Sequence, residues 1–327
     1  VTGVQTCALP ISEAYGGQGM GLTYLGLVIE EIGRAIAPLP LLSTAVPAMT
    51  LAEHGSDALK QAVLPAVCSG DLLLAFALQE ADPRIFHPEA IKTVAKEDGD
   101  SYVVTGTKMF VDNANMAGKV LTLVRTGGAG ADGLSLLVID ANSAGYTRVD
   151  EVPTDKGKQS KLVLENVRVP KANLVGAAGQ GWKIAEAMRD VATALTVMYM
   201  EGVARKDAEI TIAYAKERVA FGRPIGAFQS VAHMLADAIM WCDGAQLLGY
   251  EALWALQNRG EAQLEVSQAK SFANDRLLPA VRIGQQIHGG IGFMMEFDIQ
   301  LYYRRVAANT MRLGTSFEHR ERLAKLL

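Results

Sequence analysis

The chain has 327 residues, half of them apolar, with 31 Lys and Arg against 35 Asp and Glu for a net charge of -4. This length and apolar content suit a globular protein of two or three domains, and the near-balanced charge excludes a general attraction to nucleic acid or an anionic membrane. Cys7, Cys68 and Cys242 show no CxxC or Cys/His spacing, so reduced thiols in a cytoplasmic protein are expected. No apolar run reaches the roughly 18 to 20 residues that a membrane span needs.

The opening "VTGVQTCALPI" carries no charge and no clear period, and it lacks the basic start of a signal peptide. From Met20 to Ala35, Leu22, Leu25, Val28, Ile29 and Ile32 recur at helical spacing opposite Glu30, Glu31 and Arg34, which predicts an amphipathic helix. Pro38, Pro40 and Pro47 punctuate the connection that follows, and Ser56 is a predicted N-cap for "DALKQAVLPAV". After Gly70, short β-branched runs such as "YVVTGTKMFV", "KVLTLVRT" and "GLSLLVID" predict a small barrel or sandwich, with "TGGAGADG" as a mobile hairpin loop. Beyond "GAAGQG", helices over about Trp182 to Arg218, Gln229 to Arg259, Leu264 to His288 and Met294 to Arg312 predict an antiparallel bundle.

Four clusters stand out along this path. "EAYGGQG" at Glu13 to Gly19 is by itself a flexible turn before the first helix. In "GTKMFVDNANMAG", Phe110 suits a core position, and Asp112 with Asn113 suits the closing of a turn. In "RVAFGRPIGAFQS", Arg218 ends one helix, Gly222 and Pro224 turn the chain, and Gln229 opens the next. In "QQIHGGIGF", the paired glycines serve either as a helix C-cap or as backbone that a phosphate can approach. The five histidines have no metal-ligand spacing and no metal is expected, while Met188, Met198 and Met200 read as core packing.

Taken together, these clusters resemble the acyl-CoA dehydrogenase family, whose pattern runs from "PExYGGxG…EExxR" through "GxKxWITNxxxA" and "RxxFGxxxxxxQ" to "QxxGGxGF…YR…GT". The resemblance covers Glu13 to the C-terminus. It implies an α+β multidomain fold: an incomplete N-terminal helical domain (12–71), a central small β-barrel (72–176) and a C-terminal four-helix bundle (177–327). It also implies FAD, an acyl-CoA substrate, electron-transfer flavoprotein as acceptor, and a homo- or hetero-oligomer, either a dimer or a dimer of dimers, paired across the cofactor.

Carried over residue by residue, Arg218 matches the cation that meets the FAD pyrophosphate of a neighbouring subunit, with Phe221 and Gln229 as further contacts. Gln286, Gly289 and Gly290 match the loop at the same cofactor's adenosine and diphosphate. Phe110, Val111 and Asp112 stand at the family's Trp-Ile-Thr positions beside the flavin, Gln79 and Glu80 at its Thr-Glu strand end, and Gly314 and Thr315 at its final Gly-Thr. Phe for Trp, Asp for Thr and Gln for Thr depart from the pattern, and "ADPRIFHPEA" replaces its Gly-Ser-Asp segment.

The family's chemistry removes a proton alpha to the thioester while hydride leaves the beta carbon, so a carboxylate must lie within reach. At the family's usual base positions this chain has Leu313 and Ala192. Asp190 is the remaining candidate base, and Glu186, Glu201 and Glu318 read as solvated helix charges. Two functions follow: a dehydrogenase with a displaced base, or a base-less FAD-binding or structural subunit of a heteromeric acyl-CoA dehydrogenase. A flavin monooxygenase of the same fold is a more distant third.

Back-translation of "VTGVQTCALPI" resembles a common sequencing adapter whose next base would turn the family's Pro codon into that of Ser12. Residues 1–11 are therefore expected to be non-native, with Cys7 meaningless and the face of Leu25, Val28 and Ile32 lacking its cover.

Overall fold

The computed structural model describes residues 6–327. In chain order come α1 (Leu22–Arg34), α2 (Leu41–His54) and α3 (Asp57–Ser69). The strands β1 (Leu74–Ala77), β2 (Val94–Asp98), β3 (Ser101–Asp112), β4 (Lys119–Arg125), β5 (Leu134–Asp140), β6 (Tyr146–Glu151), β7 (Gln159–Pro170) and β8 (Leu174–Val175) follow. The long helix α4 (Gly181–Glu217) leads to a hairpin of β9 (Val219–Ala220) and β10 (Arg223–Pro224), then α5 (Gln229–Arg259), α6 (Gln263–His288), α7 (Ile299–Asn309) and α8 (Ser316–Leu326). The chain divides into two compact units: one takes the residues up to Gly21 with Leu39–Arg189, the other Leu22–Pro38 with Asp190–Leu327.

In the first unit the "YGG" turn has a steric reason for its glycines. Gly16 has φ +85°, and a Cβ on Gly17 would lie 2.0 Å from the Ile11 carbonyl oxygen. Residues 6–11, expected to stand outside the fold, are packed into it: Cys7 and Ile11 are buried, and the carbonyls of Ala8, Leu9 and Ile11 accept the N–H groups of Gln18, Met20 and Gly19. Short apolar side chains and available carbonyls are enough for that, whatever their origin. Positions 1–5 lie outside the described residues.

Ser56 caps α3 as expected, its hydroxyl accepting the Leu59 N–H at 3.2 Å. Pro47, by contrast, does not interrupt the chain but lies inside α2. The helix gives up one backbone hydrogen bond there, and burial of nearly every side chain from Leu41 to Leu51 outweighs the loss.

The strands form one path, β6-β7-β3-β2-β4-β5-β8, with β1 parallel to β4. Among the described residues this path does not close, so the expected barrel is an open, bent sheet. Along the path the other ladders are antiparallel, but β2 and β4 meet, in parallel, at a single pair, Val94 with Arg125, and no pairing joins β6 to β8. Val104, Val124, Leu137, Ile139, Leu164 and Val167 form part of its core. The loop expected to be mobile is clamped by Arg125, whose guanidinium donates to the carbonyls of Gly128 (2.6 Å), Gly130 (3.1 Å) and Pro88 (2.7 Å).

In the second unit α1 packs on α4 with backbones touching. A Cβ on Gly33 would lie 2.3 Å from the Tyr199 oxygen, and one on Gly202 would lie 2.0 Å from the Glu30 oxygen. Leu25 and Ile29 are buried and Val28 and Ile32 half-buried, so the face expected to be uncovered is largely covered, with Tyr24 and Leu27 left exposed. The bundle follows the sequence pattern to Asn309, but the chain then turns and forms α8 as a separate helix. Thr315 starts it with a capping box shared with Glu318. No helix among the described residues is long and apolar enough to cross a membrane.

Candidate functional site

On the sheet unit, the segment after β1 is tied to β3. The Gln79 carbonyl accepts the Met109 N–H at 2.9 Å. The buried Glu80 carboxylate accepts the Lys108 ammonium at 2.7 Å and the N–H groups of Lys92 and Thr93 at 2.8 and 3.0 Å. Burial alone would push Glu80 up, but the Lys108 charge and these hydrogen bonds prevail and hold it below its ordinary value. Its lone pairs are committed to the fold.

Immediately beyond Lys108 the β3–β7 register shifts, and Phe110 sits in that bulge at φ +57° with 48% of its surface exposed. A non-glycine residue in the left-handed region is disfavoured, and such outliers cluster at ligand sites. Phe110 is thus no core residue: the bulge turns its ring outward. Val111 is buried, so only its backbone can face a ligand, and Asp112 accepts the Gln159 side-chain amide at 3.2 Å.

On the helical unit, Arg218 closes α4 with its side chain exposed and with no partner among the described residues. Phe221 and Gly222 then form the two-residue turn of the β9–β10 hairpin, at φ +52° and +79°. Both central residues of such a turn need positive φ, a requirement suited to Asn-Gly rather than to an aromatic. Phe221 accepts that strain while 96% exposed, touching the Phe228 ring edge-on at 6.3 Å. Gln229 is exposed at the first turn of α5, whose preceding residue gives no side-chain cap.

At the end of α6, Gln286, Gly289 and Gly290 are exposed, and a Cβ on either glycine would meet nothing within 4 Å. Beneath them His288 is buried, donating from Nδ1 to the Gly284 carbonyl at 2.8 Å and stacking on Tyr214 at 4.4 Å. Burial holds it below its ordinary value. Among the described residues, buried Gln285 has no partner for either amide atom. A free guanidinium, open glycine backbone and outward aromatic rings fit a diphosphate joined to flat heterocycles. The residues present therefore suit FAD.

The catalytic position is different. Leu313 is half-buried and Ala192 fully buried, and neither can accept a proton. Asp190 is buried with both oxygens held by the Arg322 guanidinium, at 2.5 and 2.8 Å. A carboxylate in such a fork has both oxygens engaged in an ion pair and offers neither of them free to a substrate. Thr315 likewise spends its hydroxyl on Glu318. Glu318 is therefore a cap rather than a solvated charge, and Glu201 is fully buried, pushed up to about 7 mainly by burial. Met188, Met198 and Met200 are buried core, as expected.

Sequence reasoning missed Lys108, Lys270, Asn274 and Arg322. Lys108 has the same strand parity as buried Tyr102 and Val104, and Lys270 lies on the helix face of Val266, Ala273 and Leu277. A charge at an apolar position was the signal in both cases. Arg322, 132 residues from Asp190, gave none.

Helices, an open sheet and a helical bundle, in this order along the chain, define the architecture. Family models for the acyl-CoA dehydrogenase N-terminal, middle and C-terminal domains match residues 4–71, 75–167 and 179–327. An acyl-CoA dehydrogenase of Bacillus subtilis (strain 168) is 31% identical over 327 residues, covering 98% of this chain and 86% of its own. The solved butyryl-CoA dehydrogenase of Megasphaera elsdenii is 25% identical, with a TM-score of 0.92 and coverage of 98% and 87%. A Tcur3481-Tcur3483 steroid ACAD is 31% identical, with a TM-score of 0.88 and coverage of 99% and 86%. The chain belongs to the acyl-CoA dehydrogenase family, whose members are FAD-dependent oxidoreductases acting on acyl-CoA.

Proposed function

We propose that this chain serves in the FAD-dependent α,β-dehydrogenation of an acyl-CoA thioester, with electrons passing to electron-transfer flavoprotein, and that its part is to bind cofactor without supplying the base. The observation that carries the second part is the fork between Asp190 and Arg322, which engages the one candidate carboxylate left once Leu313 and Ala192 stand at the family's base positions. The double designation of the similar steroid ACAD, Tcur3481-Tcur3483, supports an assembly of two unlike chains.

On the sheet unit, Phe110 and the backbone of Val111 and Asp112 would hold the flavin. On the helical unit, Arg218, Phe221, Gln229 and the Gln286–Gly290 loop would hold the diphosphate and adenosine of a neighbouring subunit's cofactor. FAD supplies the hydride acceptor when bound. Phe110 would seat the ring and exclude water beside it, and the Arg218 guanidinium would neutralise the diphosphate. The alpha proton would leave to a carboxylate on a partner subunit, since the family's base positions carry Leu313 and Ala192 here and Asp190 is engaged by Arg322.

The test is anaerobic mixing of the FAD-loaded chain with a panel of acyl-CoA thioesters, followed at the flavin absorbance band. Bleaching is expected only when a base-bearing partner chain is present. Bleaching by this chain alone would establish the self-sufficient enzyme instead.

A further inference from the structure

Helix α6 presents Lys270, Asn274 and Asp275 towards the segment that joins α7 to α8. The fully buried Lys270 ammonium donates to the Asn309 carbonyl at 2.6 Å and to the Asn274 side-chain oxygen at 2.9 Å, with the Met200 sulfur at 3.6 Å. Asn274 in turn donates its amide N–H to the Gly314 carbonyl at 3.2 Å. Asp275 accepts the Ser316 hydroxyl at 2.7 Å, and from α8 His319 donates to the Leu313 carbonyl at 2.9 Å. Between these anchors the backbone is left-handed, at φ +55° for Leu313 and +108° for Gly314. A leucine is sterically disfavoured there, so the conformation needs external restraint.

Among the described residues no carboxylate pairs with Lys270. The other charge acting on it is Arg312, of the same sign, and burial pushes the ammonium down to about 7. A buried cation without a counter-ion opposes folding, and an apolar side chain of similar shape is a better source of stability there. What the lysine does have is a hydrogen bond to the carbonyl that ends α7 and another to Asn274, which in turn holds the Gly314 carbonyl.

We infer that Lys270 and Asn274 are positioning residues, which fix the left-handed Leu313–Gly314 turn and so set where residue 313 and Thr315 stand. That the turn faces cofactor and substrate rests on the function proposed above; the clamp itself does not.

The test uses the full chain with Lys270→Met and Asn274→Leu, read by hydrogen exchange of the peptides covering 309–318 without cofactor, by thermal midpoint, and by FAD titration. Expected for K270M is an unchanged or higher midpoint, exchange about tenfold faster in 309–318 alone, and severalfold weaker FAD binding. N274L is expected to speed exchange around Gly314 only, and Lys270→Arg, which keeps a donor, to restore part of the protection. The inference is overturned if exchange in 309–318 is unchanged, if it rises equally along α4 and α6, or if K270M fails to fold. A local change in exchange with no FAD binding by the unsubstituted chain would instead remove the cofactor function and leave the clamp standing.

Discussion

The Asp190–Arg322 pair separates a structural carboxylate from a catalytic one. The two side chains are 6% and 12% exposed, so truncating either leaves a charge with little access to water. Breaking a buried pair costs about 3 to 5 kcal/mol, and Arg322, the more exposed member, places Asp190→Asn at the lower end. At roughly 2 to 4 °C per kcal/mol for a unit of this size, D190N should lower the thermal midpoint by about 6 to 12 °C. Arg322→Met, which strands Asp190, should lower it further, and combining D190L with R322M should recover most of the loss. Stopped-flow flavin reduction in the assembled enzyme, well below the midpoint, should be the same for D190N and the unsubstituted chain. A general base would show the opposite pattern, a rate lowered by about 10² to 10⁴ with the midpoint intact. That pattern in D190N would refute the assignment.

Glu201, pushed up to about 7 from 4.5, binds a proton more tightly folded than unfolded. Its contribution to stability is full below about pH 4.5 and is lost as pH rises through 7. Urea titrations should therefore show Glu201→Gln gaining on the unsubstituted chain by roughly 3 kcal/mol across that window; a pH-independent difference would contradict this. Gly202→Ala should lower the thermal midpoint by forcing α1 off α4, at a cost of about 1 to 3 kcal/mol, because its new Cβ would lie 2.0 Å from the Glu30 oxygen. Gly290→Ala, with nothing within 4 Å, should leave the midpoint unchanged and weaken FAD binding on titration.

The helices were legible because their apolar residues recur at a regular period. Ser56 was legible as a cap because a hydroxyl before a helix has one inexpensive use. Pro47 was misread because a local preference for breaking helices competes with burial that only tertiary structure reveals. Sheet closure was also beyond reach, since it depends on whether β2 and β4 pair along their length or at a single residue. The outward turn of Phe110 follows from a bulge, a register event between two strands that alternation within one of them does not encode. The family itself was legible from the motif clusters and their order, and the family models match along the chain. The Asp190–Arg322 fork needed coordinates, and it changes the function inferred.

The most direct measurement of the missing base is single-turnover flavin reduction by the FAD-loaded chain alone, without a partner, before and after Leu313→Glu. The turn at 313–314 keeps its left-handed backbone through carbonyl hydrogen bonds that do not involve the leucine side chain. A carboxylate installed there should take the alpha proton. Expected is negligible bleaching by the unsubstituted chain and a rate increase of about 10² or more in L313E. Rapid bleaching by the unsubstituted chain, unchanged or slowed in L313E, would show that a base already exists elsewhere in the chain.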